Sequence, residues 1–156
     1  MDTVVTRFLI EKGVSFVVKP HGREVYTCEE AALERGVRLS QIVKSMIGRD
    51  PTGELYVMMI PGDRTLKLKR VRSLAGGVRI DLLTPEEISN MLSLTVGAIS
   101  PTQLAGQARF YMDNSLFSEE FVDISSGDSC AGIELRTQDL EKVLGALRGD
   151  IVSTSR

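Results

Sequence analysis

Apolar positions along this chain recur with two different periods, and the changes between them mark out the elements. Val4, Val5, Phe8 and Leu9 share one face of an opening helix that Gly13 can end, and residues 14–18 follow as a strand. Pro20, His21 and Gly22 then turn the chain. Thr27 with Glu29 and Glu30 makes a capping box, its hydroxyl and carboxylate satisfying free amides of a helix that runs to Gly36. Residues 42–47 and 55–60 are apolar runs of strand length, joined by Asp50, Pro51, Thr52 and Gly53 as a hairpin turn.

A basic stretch, residues 64–72, reads as a short helix ending at Gly76 and Gly77, and residues 79–83 as a further strand. Thr84 and Pro85 repeat the capping logic, with proline at the first helical position, where a missing amide hydrogen costs nothing. Three more strands are predicted at 108–112, 121–124 and 132–135. A last helix starts near Thr137, with Leu140, Val143, Leu144 and Leu147 on one stripe. Residues 1–150 thus form one domain, and 151–156 read as a frayed tail.

The hairpin-length gaps predict an α+β domain: a mixed, largely antiparallel sheet, barrel-like in one form of it, with packed helices. A doubly wound fold needs a helix between most strand pairs, and residues 46–60 leave no room for one.

Composition narrows the function classes. Of the 156 residues 42% are apolar and 26% charged, the balance of a globular domain, and no apolar run approaches the roughly 18 residues of a membrane span. With no signal-peptide pattern, a soluble cytoplasmic protein is expected. Cys28, Cys130 and the single histidine, His21, stand at no metal-ligand spacing, so no metal or cofactor is called for; the two cysteines read as separate thiols, with a disulfide between them as the alternative. There is also no phosphate loop and no nucleophilic triad, which leaves chemistry that works by positioning.

The net charge of −2 conceals an asymmetry. Residues 1–80 carry 14 Lys or Arg against 9 Asp or Glu, whereas residues 81–156 carry 5 against 12. Lys67, Lys69, Arg70 and Arg72 concentrate the positive excess, and such a cluster either meets a phosphate backbone or forms a solvated face. The acidic balance overall predicts weak, salt-sensitive binding to any nucleic acid.

Two stretches carry candidate chemistry. Strand alternation puts Ile42, Lys44 and Met46 on one face, so the Lys44 ammonium points the same way as two apolar side chains. Lining a cleft, it would hold a phosphate or carboxylate; at an edge, it keeps the strand soluble. In Gly97, Ala98, Ile99, Ser100 and Pro101 the glycine permits close backbone approach and the proline restricts Ser100 to extended conformations. Such a loop either aims amide hydrogens at an oxygen or is a plain turn. Asp113 either orients a water, a ribose or an amine, or caps the segment after it.

Several segments in order resemble the YbaK/prolyl-tRNA synthetase-associated editing domains. They are Thr27 with Glu29, Glu30, Ala31 and Ala32; Ser40, Gln41, Ile42, Val43, Lys44 and Ser45; and Ile60, Pro61, Gly62, Asp63, Arg64, Thr65 and Leu66 ahead of the basic helix. Gly97 to Pro101 as GxxxP, the strand end Tyr111, Met112, Asp113, and Ile124, Ser125, Ser126, Gly127 complete the set, which spans residues 8–147.

The resemblance implies an aminoacyl-tRNA deacylase that hydrolyses the ester of a mischarged tRNA, a tRNA(Pro)-type substrate carrying a small amino acid. It implies a positioned water with assistance from the ribose hydroxyl, and no protein nucleophile. By the same likeness Lys44, Gly97 and Asp113 are catalytic, and Ala98, Ile99, Ser100, Pro101, Ser126 and Gly127 line the substrate pocket. His21 falls where relatives often carry a histidine at the rim, and Tyr26 either covers the substrate or packs beside the capping box. The partners implied are the aminoacyl-tRNA acceptor end and a synthetase. The sequence departs from the pattern at residues 127–132, an acidic connection where many relatives are basic. The alternative is a non-catalytic module binding tRNA 3′ ends, a nucleotide or a synthetase; a further one has the basic run meeting an acidic protein.

Overall fold

Residues 55–61 are the centre of the domain, in a computed structural model that describes residues 1–153. Strand β1 is Phe16–Pro20, β2 is Val43–Arg49 and β3 is Leu55–Pro61. β2 and β3 form the expected antiparallel hairpin, with Val43 opposite Pro61 and Arg49 opposite Leu55. Asp50 closes its turn: Oδ1 accepts from the Thr52 amide and hydroxyl and from the Glu54 amide, and Oδ2 accepts from the Tyr56 hydroxyl at 2.8 Å. Those bonds, Thr52's first, hold the Asp50 carboxyl below its ordinary range, while burial and Asp50 push the Tyr56 phenol up to about 12.

Strand β4 (Asp81–Leu82) meets β2 only at Gly48 and Arg49. On the other side β5 (Ala108–Asp113) runs parallel to β3. A second sheet stacks β1, β7 (Ala131–Arg136) and β6 (Phe121–Ser125) antiparallel, with β7 in the middle. Strand β8 (Leu147–Gly149) lies parallel to β5, completing the order β4-β2-β3-β5-β8. The two sheets touch through a bridge between Ile42 and Asp123. The α+β class therefore holds, but the strands form two sheets, one of them containing two parallel pairings, and the described residues close no barrel.

Among the described residues five α-helices pack on these sheets: α1 (Val4–Glu11), α2 (Cys28–Arg35), α3 (Leu68–Leu74), α4 (Pro85–Leu92) and α5 (Thr137–Leu144). Thr27 and Thr84 cap α2 and α4 as expected, each hydroxyl accepting from the amide three residues on. Alternation along the hairpin divides the core. Val43, Ile47, Val57 and Met59 join Val5, Leu9, Ile133 and Leu140 on one side; Tyr56, Met58 and Ile60 join Val71, Tyr111 and Ile151 on the other.

The ends of the chain differ from expectation. Thr3 caps α1, so Val4 faces solvent, and the Val14 amide is held by the Leu9 carbonyl, which delays β1 to Phe16. The final helix stops at Gly145 in the left-handed region, and Leu147 belongs to β8, exposed, rather than to the helical stripe. Ile151 and Val152, expected to fray, are buried. The Lys67 amide donates to the Ile151 carbonyl, Leu66 bridges Val152, and Asp113 Oδ1 accepts from the Ile151 amide at 2.8 Å. Residues 154–156 of the expected tail lie outside the described residues. Ile151→Ala should destabilise the domain by about 2–4 kcal/mol, the cost of a cavity in a closed core, whereas Leu147→Ala should cost less than about 1 kcal/mol; urea denaturation of both reads the contrast.

Candidate functional site

β2 has a strand neighbour along its whole length on one edge and at only two residues on the other. The Leu83 amide donates to the Ile47 carbonyl, which places the main-chain groups of Val43, Ser45 and Ile47 on that second edge. From Val43 to Ile47 no strand covers it, and there a cleft of about 460 Å³ opens. Six consecutive residues, Ile42 to Ile47, line it, so residues of both faces of the strand border the cleft. Cys28, Ala31 and Arg35 form a second wall, and their spacing is one face of α2. Leu82, Leu83, Pro85 and Ile88 form a third, and Val96, Gly97 and Ile99 a fourth.

Lys44 stands opposite Ile60 and makes no hydrogen bond or ion pair among the described residues. It is a cation without a partner in a mostly apolar hollow. Beside it the Cys28 thiol is pushed up by burial, against the pull of Lys44 and Arg35. The Ser45 hydroxyl oxygen is buried with no partner among the described residues.

The glycine loop is fixed by contact with the segment ahead of α2. Gly97 has φ +96°, and a Cβ there would sit 3.0 Å from Cα and the carbonyl oxygen of Tyr26. Only glycine fits on both counts. Within the loop the Ala98 amide is taken by the Thr95 carbonyl and the Ser100 amide by Gln103 Oε1, while the Gly97 and Ile99 amides donate to nothing among the described residues. Those two residues are the ones that line the cleft. Ser100 and Pro101 are buried, and the Ser100 hydroxyl pairs with that of Thr102 at 2.9 Å, which secures the loop's exit.

The profile of the aminoacyl-tRNA editing domain matches residues 22–143. The chain belongs to that family. Among its curated relatives, the prolyl-tRNA editing protein ProX of Acetoanaerobium sticklandii is 27% identical over 88% of this chain and 87% of its own length. The multifunctional Ser/Thr-tRNA deacylase ProXp-y of Escherichia coli K12 is 26% identical, over 86% of this chain and 83% of that protein. In the solved structures, hypothetical protein APE2540 superposes with a TM-score of 0.88 at 28% identity, covering 96% of this chain and 99% of the other. No helix among the described residues is long and apolar enough to cross a membrane.

The editing domain brings together fewer of the expected residues than the sequence suggests. Lys44, Tyr26, Gly97 and Ile99 share the cleft, with Tyr26 on its boundary, half exposed, its hydroxyl donating to Glu24 Oε2. Ala98 and Gly127 instead line an adjoining polar hollow with Glu24 and Asp128. Ser126, fully buried, donates to the Ala131 carbonyl at 2.7 Å and accepts from the Asp128 amide, so it shapes its own loop. His21 does not line the cleft: Nδ1 lies 2.8 Å from the Arg23 carbonyl and therefore carries the proton. Asp113 is absent from the lining as well. Its Oδ2 accepts from the Ser115 amide and hydroxyl and its Oδ1 from Ile151, the capping role that competed with the catalytic one. Of the basic cluster, Arg72 is spent on the Ile80 carbonyl and Asp81, and Arg70 donates to the Val152 carbonyl. Lys67 and Lys69 remain exposed.

Sequence reasoning missed Arg35 and the buried charges behind it. Asp123 on β6 is fully buried, with Lys19 Nζ 3.6 Å from Oδ2, and Lys19 also pairs with Glu134. Burial pushes its carboxyl up to about 6 from an ordinary 3.8, against the opposing pull of Lys19 and Arg35. The folded domain therefore holds a proton between about pH 4 and 6 that the unfolded chain has released, so this group's contribution to stability falls as pH rises through that window. Asp123→Asn should flatten that segment of the stability profile, as read by urea denaturation at intervals from pH 4 to 7.

Proposed function

We propose that this editing domain hydrolyses, in trans and in the cytoplasm, the ester of a small amino acid on a mischarged tRNA of the tRNA(Pro) type. The observation that carries the reading is the pairing of an unpartnered Lys44 with two unpartnered loop amides across one cleft. Lys44 holds a phosphate or ribose oxygen of the 3′ end. Water attacks the carbonyl carbon, and the Gly97 and Ile99 amides receive the negative charge that develops on the carbonyl oxygen. The neighbouring ribose hydroxyl orients that water, whose proton passes to the departing ribose oxygen as the ester C–O bond breaks. Free amino acid and a tRNA with its 3′-terminal hydroxyl restored leave the site.

An aminoacyl ester is already activated, so two fixed donors and an oriented water are adequate chemistry. Tyr26, holding Gly97 by its backbone and bordering the cleft, covers the substrate. Ser100 and Pro101 stiffen the loop, and Ala98, Gly127, Ser126 and His21 shape the adjoining loops rather than touch the ester. Asp113 takes no part, because both its oxygens are used in anchoring the chain's end. Lys67 and Lys69 offer the phosphate contacts, and a synthetase supplies the mischarged tRNA.

The test is release of labelled amino acid from tRNA(Pro) charged with alanine or cysteine. Multiple turnovers are expected. Lys44→Ala should lower kcat/KM by roughly 10- to 100-fold, the worth of one charged hydrogen bond of about 1.5–3 kcal/mol. Gly97→Ala should lower it at least as far, since its methyl must displace the Tyr26 backbone. Protection without release would instead identify a binding module. With Lys44, Lys67 and Lys69 as the phosphate contacts, the logarithm of tRNA affinity should fall against that of salt concentration with a shallow slope, about −2. Lys67→Glu with Lys69→Glu should flatten it further, as filter binding across a salt series would show.

A further inference from the structure

Arg35 is a second cation in the cleft, and no acceptor among the described residues takes its hydrogens. Its side chain lies in a notch that exists because residue 132 is glycine: a Cβ there would fall 2.1 Å from Arg35 Nε and 2.3 Å from Cζ. Nε is buried with no partner among the described residues, and the terminal guanidinium nitrogens make no hydrogen bond there either, though they are not among the buried unpartnered atoms. The nearby anion is the buried Asp123, which offsets the charge of Arg35 without hydrogen bonding to it. Charge compensation and hydrogen bonding are thus separated: the positive charge is tolerated, and the terminal guanidinium nitrogens stay free for something that enters the cleft.

The rest of the cleft's lining is mostly apolar, Val25, Ala31 and Ile42 among it, with the exposed Glu29 carboxylate and the Cys28 thiol on the same helix as Arg35. An aliphatic group in such a place would leave the guanidinium desolvated and unsatisfied, at a cost comparable to a lost charged hydrogen bond. A group carrying an oxygen acceptor would remove that cost.

We infer that Arg35 is a specificity-determining residue, and that the cleft prefers aminoacyl groups whose side chain bears a hydrogen-bond acceptor (a hydroxyl, carboxamide or carboxylate) over aliphatic groups of equal size. This rests on the editing reading above and names the class of amino acid it removes. Lys44 serves the nucleic-acid end of the substrate, and Arg35 serves the side chain.

The experiment compares size-matched pairs on one tRNA(Pro) transcript, threonine against valine and asparagine against leucine, with alanine and cysteine as the common reference. For the wild type, kcat/KM should favour the acceptor-bearing member of at least one pair by about tenfold or more. Arg35→Leu should bring that ratio near one. Gly132→Ala provides an independent variant: the atoms its methyl meets belong to the flexible end of Arg35, so it displaces the guanidinium while leaving the strand intact, and the ratio should fall again. Hydrolysis of the reference substrates with no preference within either pair, or a preference that survives both substitutions, overturns the inference and leaves the editing reading standing. No hydrolysis of any substrate, reference included, overturns both.

Discussion

The unmatched edge of β2 is the constraint on which the rest of the structure depends. A strand in the interior of a sheet has both edges satisfied, and a bare edge is ordinarily a liability. Here β4 covers Gly48 and Arg49 alone, and the residues before them are roofed by α2, α4 and the 97–101 loop instead of by another strand. A roof of helices and loop cannot follow a strand's pleat closely, so space is left between. That space contains Lys44, and its position follows from register: one residue's slip in the hairpin would turn the ammonium into the core with Val43 and Ile47. The continuous burial of β3 from Tyr56 onward resists the slip.

The second sheet supports this arrangement from behind. Its contact at Ile42 and Asp123, just ahead of β2, puts a buried carboxylate beside a cleft-lining residue, and α2 carries Arg35 against Gly132 of the same sheet, within electrostatic reach of Asp123. Gly132 and Gly97 serve comparable ends by different means. Gly132 has ordinary backbone angles and is small so that a side chain can enter, whereas Gly97 has both a positive φ and a backbone pressed against it. The substitution of either acts at the cleft, although neither side chain takes part in chemistry.

Local signals were legible in the sequence where they are local in fact. The threonine caps, the Asp50 turn and the presence of the β2–β3 hairpin were read correctly because propensity and packing agree there. The split into two sheets was not legible, because the parallel pairings of β5 with β3 and β8 join segments far apart in sequence and neither shows in periodicity. Leu147 fitted a helical stripe until Gly145 ended the helix, and Ile151 looked like a tail because its partners, Asp113 and Lys67, are distant. Lys44 and the glycine loop could be named from the pattern. Arg35 could not, since an arginine in the last turn of a helix ordinarily complements the helix dipole at the surface. Only the notch at Gly132 distinguishes this one.

The charge distribution looks different once contacts are assigned. The basic stretch suggested a broad phosphate-binding face, yet Arg70 and Arg72 tie α3 to main-chain carbonyls, so much of its charge has a structural use. Among the described residues, Arg64, Lys67, Lys69 and Lys142 outside the cleft and Lys44 and Arg35 within it have side chains that make no hydrogen bond or ion pair. Cations in an apolar hollow that find no acceptor among the described residues reduce stability, and neither supports a core contact that an aliphatic residue could not make. Their retention is intelligible if binding satisfies them. A site organised in this way holds its substrate loosely from outside and discriminates inside, where each unsatisfied donor raises the cost of admitting a group that cannot accept a hydrogen bond.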